Sequence, residues 1–248
     1  MDVKRGYKQT EVGVIPEDWD VPSLGTVLDK ARLGGNYPNQ DTESENPLIK
    51  MGNMGRGSIH ITKIEYIPSS VSLDPVHRLR HGDVLFNTRN TLDLVGKVAV
   101  WRDELPVAYY NSNILRLEGK QNLVSPLFLN YICNTKGVVA RLRALATGTT
   151  SVAAIYTRDL LGLPIPLPPL PEQEAIAEAL SDADALIESL EKLIEKKRAI
   201  KQGAIQDLLT GKRRLPGFTG KWEEKRLGEV ATPSKTRFNP VGAADEYR

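Results

Sequence analysis

From Glu172 to about Leu209 the chain has no proline and one glycine, directly after Leu163-Pro164-Ile165-Pro166-Leu167-Pro168-Pro169-Leu170-Pro171. Proline alternating with large apolar residues bars a helix and stiffens the backbone into an extended form. Its sudden absence permits one uninterrupted helix of roughly 38 residues, about 57 Å long. A helix of that length cannot be covered by one small core. Leu180, Ala183, Ile187, Leu190 and Ile194 recur at the three-four spacing of a coiled-coil seam; Ile176, Leu186, Leu193 and Ile200 widen the stripe, and Leu208 extends it toward the end. The charges are polarised. Glu172, Glu174, Glu178, Asp182, Asp184, Glu188 and Glu191 fill the first half, while Lys192, Lys196, Lys197, Arg198, Lys201, Lys212, Arg213 and Arg214 dominate the second. Compensation of the helix dipole accounts for charges in the terminal turns only. Blocks this long suit antiparallel pairing with a second copy of the same helix, acidic half against basic half; a solvated polar face is the competing explanation.

An internal repeat brackets the rest of the chain. Trp19, Leu24, Gly25 and Val27 form a W-x4-L-G-x-V pattern that returns, at one common offset, as Trp222, Leu227, Gly228 and Val230. Between the copies, Pro47–Lys50, His60–Tyr66, Asp83–Phe86, Val95–Trp101 and Ser112–Leu117 are short runs separated by turn residues, and they predict strands. Ser125-Pro126 supplies a helix N-cap and first-turn proline, and Leu127–Ala146 has helical spacing up to Thr147-Gly148-Thr149. The expected fold class is α+β: a globular mixed α/β domain followed by a long, coiled-coil-forming α-helix.

At 248 residues, 40% hydrophobic and 26% charged, the composition is that of an ordinary globular protein. No apolar run approaches the ~20 residues of a membrane span. The N-terminus lacks a secretory h-region and Cys133 is the lone cysteine, so a cytoplasmic location is expected, with Cys133 a buried hydrophobe. A net charge of +2 argues little for a polyanionic partner, so any basic surface must be assembled by folding.

Enzyme signatures mostly fail. Gly52-Asn53-Met54-Gly55-Arg56-Gly57 has the wrong spacing for a dinucleotide or phosphate loop and is expected to be a turn that lets backbone approach a partner. His77 and His81 lie in a loop, and only His60 remains to join them. Asp103, Glu118 and Lys120 loosely fit a Mg²⁺-dependent nuclease, the alternative reading. Recognition is better served. Asn87, Thr88, Arg89 and Asn90 are read as a loop after a strand, where Arg and Asn present bidentate groups for guanine and adenine edges. Arg56, His60 and Lys63 surround the glycine turn, and Thr149, Thr150 and Ser151 offer hydroxyls to phosphate. Each segment alone also reads as a plain surface loop.

Ile165-Pro166-Leu167-Pro168-Pro169-Leu170-Pro171-Glu172-Gln173, preceded by Thr147-Gly148-Thr149-Thr150 and followed by the long helix, Lys201-Gln202-Gly203-Ala204 and Leu208-Leu209-Thr210-Gly211-Lys212, resembles the specificity subunit of Type I restriction–modification systems. Tyr7 to Trp19 is similar to that family's usual entry into a target-recognition domain. The resemblance implies a target-recognition domain over residues 1–168, a conserved helix over 169–214 for dimerisation and subunit docking, and the start of a second repeat over 215–248. It implies that each such domain reads half of an interrupted double-stranded DNA site. The helices would dock modification (methyltransferase) subunits, which use S-adenosylmethionine, and restriction subunits, which use ATP and Mg²⁺. On this reading the chain itself carries no cofactor, metal or catalytic residue; Asn239-Pro240-Val241 is not the methyltransferase motif. Members normally hold two target-recognition domains, so a homodimer through residues 172–209 reading a two-fold symmetric site is the expectation. The interface residues would be Ile176, Leu180, Ala183, Ile187, Leu190, Ile194 and Leu208.

Overall fold

The computed structural model describes residues 4–233; Asn239-Pro240-Val241 and the last part of the 215–248 segment lie outside the described residues. In chain order the elements are β1 (Tyr7–Thr10), β2 (Gly13–Pro16), α1 (Leu24–Val27), β3 (Leu28–Leu33), β4 (Pro47–Ile49), β5 (Glu65–Tyr66), β6 (Val84–Asn87), β7 (Arg89–Asn90), β8 (Val98–Val100), β9 (Tyr109–Tyr110) and β10 (Ile114–Gly119). There follow α2 (Pro126–Cys133), α3 (Lys136–Leu145), β11 (Thr147–Gly148), β12 (Ala153–Ala154), α4 (Thr157–Leu161), α5 (Leu170–Leu209) and α6 (Leu227–Val230). The chain divides into two units, Met1–Asp184 and Ala185–Arg248. The class is the α+β arrangement expected.

An antiparallel sheet in the order β3-β10-β6-β8 organises the first unit. Strand residues alternate between its faces. Val84, Phe86, Val98, Val100, Leu115 and Leu117 face one core, closed by Phe128 and Leu129 of α2, Val138 and Leu142 of α3, and Leu24 and Val27 of α1. Leu85, Ala99, Trp101 and Ile114 face a second core with Ile49, Met54, Leu79 and Tyr110. A sheet buried on both sides explains why β6 reads as an unbroken buried run, Val-Leu-Phe-Asn.

Several expectations are corrected. The helix expected over Leu127–Ala146 is two helices, interrupted at Asn134-Thr135. Asn134 Nδ2 donates back to Asn130 O (2.8 Å) and across to Val98 O (3.0 Å), and Thr135 Oγ1 donates to Ile132 O. Short polar side chains that capture backbone carbonyls compete with the helix ladder. Ser125 stands at the N-cap of α2 but makes no side-chain cap; its N–H is instead taken by Gln173. The strand expected over His60–Tyr66 shrinks to Glu65–Tyr66, because Asn53 Nδ2 donates to the carbonyls of His60 and Lys63 and gathers that stretch into a loop.

The proline segment has a two-residue logic. Ile165 N–H donates to Pro22 O and Leu167 N–H to Asp20 O, while Asp20 and Leu24 donate back to Leu167 O and Leu163 O. Only alternate residues need an N–H, and prolines occupy the others. Helix α5 starts at Leu170, earlier than the extended reading placed it, with Pro171 in its first turn, where no donor is needed. Gln173, fully buried, fastens that turn: Oε1 accepts from Ser125 N–H, and Nε2 donates to Leu123 O and Pro168 O, at 2.9–3.0 Å.

The two repeat copies share a local fold, a one-turn helix over Leu24–Val27 and again over Leu227–Val230. In the first copy Leu24 and Val27 are buried, and a Cβ on Gly25 would sit 3.2 Å from Leu161 Cβ. In the second copy Trp222, Leu227 and Val230 are exposed.

Candidate nucleic-acid interface

Folding brings together two of the three predicted recognition segments. The stretch at 87–90 is not a free loop. Asn87 closes β6, is fully buried, and is used internally: Nδ2 donates to Leu94 O (3.5 Å) and Oδ1 accepts from Arg89 N–H (3.2 Å). Thr88 is buried too, its Oγ1 donating to Asn113 O (2.9 Å). These two side chains have structural work and are withdrawn from the surface. Arg89 and Asn90 form β7, which pairs with β12 of the hairpin carrying Thr149, Thr150 and Ser151. The hairpin turn is tied by Val152 N–H donating to Thr149 Oγ1 (3.2 Å), and Leu92 N–H donates to Thr150 O. Gly148, at φ +124°, is required there: a Cβ would lie 2.3 Å from Val152 O. Arg89, Thr149, Thr150 and Ser151 are all exposed.

Beside this small sheet lies a cleft of about 290 Å³, bounded by Leu33, Arg89, Ser112, Asn113, Tyr156 and Thr157. Ser112, Asn113, Tyr156 and Thr157 carry no signal in the sequence; they reach the cleft from β10's approach and the start of α4.

The third segment, Arg56, His60 and Lys63, is exposed on the glycine turn. The partner approached by that turn is the chain itself: Gly57 N–H donates to Val98 O, and Gly57 O accepts from Arg102 Nη1 and Asn130 Nδ2. Arg56 Nη1 reaches Gly96 O (3.5 Å) and Lys97 Nζ donates to Met54 O (2.8 Å). Burial and then the charge of Arg143 push the Arg56 pKa down; burial and then Arg56 do the same to Lys97. A local basic cluster is thus assembled by folding in a chain with little net charge.

The nuclease alternative does not assemble. Asp103 pairs with His81 Nδ1 (3.0 Å), Glu118 accepts from Arg116 Nη2 (2.6 Å), and Lys120 Nζ donates to Thr26 O (2.8 Å). Among the described residues no three His, Cys, Asp or Glu side chains gather as a metal site. His77 Nδ1 is bonded to Tyr37 Oη (2.8 Å). Cys133 is buried on α2, and burial pushes its thiol up to about 12. Iodoacetamide at pH 8 is therefore expected to label Cys133 only after denaturant is added; rapid labelling of the native chain would contradict the buried placement.

Helix α5 presents the other candidate surface. Ile176 packs against the first core and Ala177 is buried within it, whereas Leu180, Ile187, Leu190 and Ile194 are exposed, as are Leu186, Leu193, Ile200 and Leu209. Ala183 is exposed and Leu208 half-buried. No helix among the described residues is long and apolar enough to cross a membrane.

Residues 16–198 match the Type I restriction modification DNA specificity domain. The chain belongs to this family. Similar proteins include the MjaX and MjaVIII type I restriction enzyme specificity subunits of Methanocaldococcus jannaschii, 32% and 31% identical over 84% and 85% of this chain and 49% and 50% of theirs. The specificity chain described here thus spans about half the length of the relatives it matches. Its fold is similar to that of the crystallised S subunit from M. genitalium, with a TM-score of 0.55 and 18% identity over 84% of this chain and 47% of that one. In this Type I specificity chain, Gln173 of the Pro-Glu-Gln string gains a physical role, fastening the long helix to the domain that precedes it.

Proposed function

We propose that this chain is a non-catalytic DNA-sequence specificity subunit that reads half of an interrupted double-stranded site and pairs through α5 with a second copy of itself. The observation that carries the reading is the long helix: an exposed apolar seam from Leu180 to Leu209 with acidic residues along one half and basic along the other. An unshared seam of this length favours association, and antiparallel pairing sets each acidic half against a basic half while bringing Leu190 near the two-fold axis. Two reading domains related by that axis face two half-sites of opposite orientation. The same helices serve as the dock for methyltransferase and restriction subunits, which supply S-adenosylmethionine, ATP and Mg²⁺ chemistry from their own active sites in the cytoplasm; this chain contributes the address and no cofactor.

Methylome sequencing of a host expressing this chain with a modification subunit tests the whole reading. The expected result is one adenine-methylated, interrupted, two-fold symmetric motif. An asymmetric motif removes the homodimer, and methylation without any motif removes sequence reading. Light scattering supplies an independent check on the helix: the purified chain is expected to be a dimer at micromolar concentration, and Leu190→Glu a monomer.

A further inference from the structure

We infer that the cleft bounded by Leu33, Arg89, Ser112, Asn113, Tyr156 and Thr157 is where this chain reads base edges, with Arg89 and Asn113 as the discriminating side chains. The inference rests on the DNA reading proposed above and deepens it to particular residues. Its first support is unused hydrogen-bonding capacity. Among the described residues, the Arg89 guanidinium, the Asn113 amide and the hydroxyls of Ser112, Tyr156 and Thr157 have no protein partner, and these five residues line one concavity of about 290 Å³. Part of the backbone beneath them is tied down. Thr88 donates through both N–H and Oγ1 to Asn113 O, and Ile155 N–H donates to Thr88 O, so the rim is anchored while its side-chain tips are free.

The chemistry of the lining selects the ligand. No carboxylate borders the cleft, which removes the repulsion a nucleic acid would meet. A phosphate site would gather several cations; here one arginine stands among neutral donors and acceptors, the composition that reads bases. Arg89 carries the two-pronged donor that matches guanine O6 and N7, and the Asn113 amide the donor–acceptor pair that matches adenine N6 and N7. Tyr156, more than half exposed, and Leu33 provide apolar walls suited to a thymine methyl. Position supports the same conclusion. Ala154 of β12 also lines the cleft, so the Thr149–Ser151 hairpin lies alongside and can hold phosphate next to the base being read.

The test is selection from a random-sequence duplex library by the full chain in complex with its modification subunit, comparing wild type with Arg89→Ala, Asn113→Ala and Tyr156→Ala. Arg89→Ala is expected to lower the preference for one base at one position about ten- to hundred-fold, leaving the other positions of the half-site intact. Asn113→Ala is expected to do the same at a neighbouring position. Arg89→Lys, which keeps the charge and disturbs the fold least, is expected to lose the base preference while retaining most of the affinity; it stands in if an alanine variant melts early. Variants that return the wild-type motif, or that weaken all sequences evenly with a shallower salt dependence, overturn the cleft as the reading site while leaving DNA reading in place. A wild-type complex that selects no motif removes the DNA reading itself and the cleft with it.

Discussion

Arg116→Met is expected to destabilise the first unit by about 3–5 kcal/mol, the cost of leaving buried charge without its partner, and to lower its melting temperature by on the order of 10 °C. Arg116 sits on β10, 7% exposed. Its guanidinium bonds to Glu118 Oε1 from two nitrogens (2.6 and 3.1 Å), to Asp83 Oδ2 (3.3 Å) and to Arg78 O (3.3 Å), and it lies over the Tyr110 ring at 5.6 Å. Burial pushes the Asp83 carboxyl up even with this cation beside it, and pushes the Tyr110 hydroxyl up to about 12. Removing the guanidinium leaves Asp83 with burial and the repulsion of Glu118, opposed only by the Arg80 N–H that donates to Oδ2 (2.9 Å), so its carboxyl moves further up. A carboxyl whose folded pKa lies above its unfolded value favours folding below the unfolded value and loses that contribution as pH rises through the folded one. The deficit of the variant is therefore expected to be smallest near pH 4 and to grow toward pH 7. Thermal unfolding followed by circular dichroism across that range reads both effects, and a melting temperature within 2 °C of wild type at pH 7 would refute them. Asp83→Asn combined with Arg116→Met is expected to recover part of the loss, since the neutral amide no longer needs a counter-charge.

Gln173→Ala is expected to cost about 2–4 kcal/mol, because it orphans one buried and two part-buried backbone groups, at roughly 1–3 kcal/mol for the buried one and less for the two that water can reach. Those groups are the Ser125 N–H and the carbonyls of Leu123 and Pro168. Gln173→Glu is expected to be at least as damaging despite its similar shape. It keeps an acceptor for Ser125 but turns a carboxylate oxygen toward two carbonyls in a site with no exposure. Hydrogen exchange at Ser125 and proteolysis near Pro168 report the local opening. A glutamate variant as stable and as protected as wild type would show that the glutamine's amide is not what fastens the helix. This coupling matters for the proposed function, because a reading domain that swings on its helix cannot hold two half-sites at a defined spacing.

The parts of the fold legible in advance are those whose determinants are close in sequence. The proline-free stretch, the seam spacing and the turn before Val84 all act through contacts a few residues away. The break at Asn134-Thr135 was not legible, since Asn134 ends the helix partly by reaching Val98 on a distant strand. Asn87 misled for a related reason. A polar residue after an apolar run reads as a loop, but here it is fully buried between elements that pair only once the chain has folded. The two residues best placed beside Arg89, Asn113 and Tyr156, belong to ordinary polar and hydroxyl-rich stretches, and nothing local marks them.

What the sequence determined alone was the long helix with its polarised seam and the repeated Trp-Leu-Gly-Val unit that folds as the same one-turn helix twice, because helical periodicity and tight turns are set by neighbouring residues. Tertiary structure decided which polar groups remain available. Pairing of Ala153 with Asn90 brings the hydroxyl hairpin to Arg89, burial withdraws Asn87 and Thr88, and packing leaves the seam beyond Leu180 exposed. Contacts such as that of Ala153 with Asn90, 63 positions apart, follow from the summed burial of two cores on either side of one sheet, and no short window of sequence contains both partners.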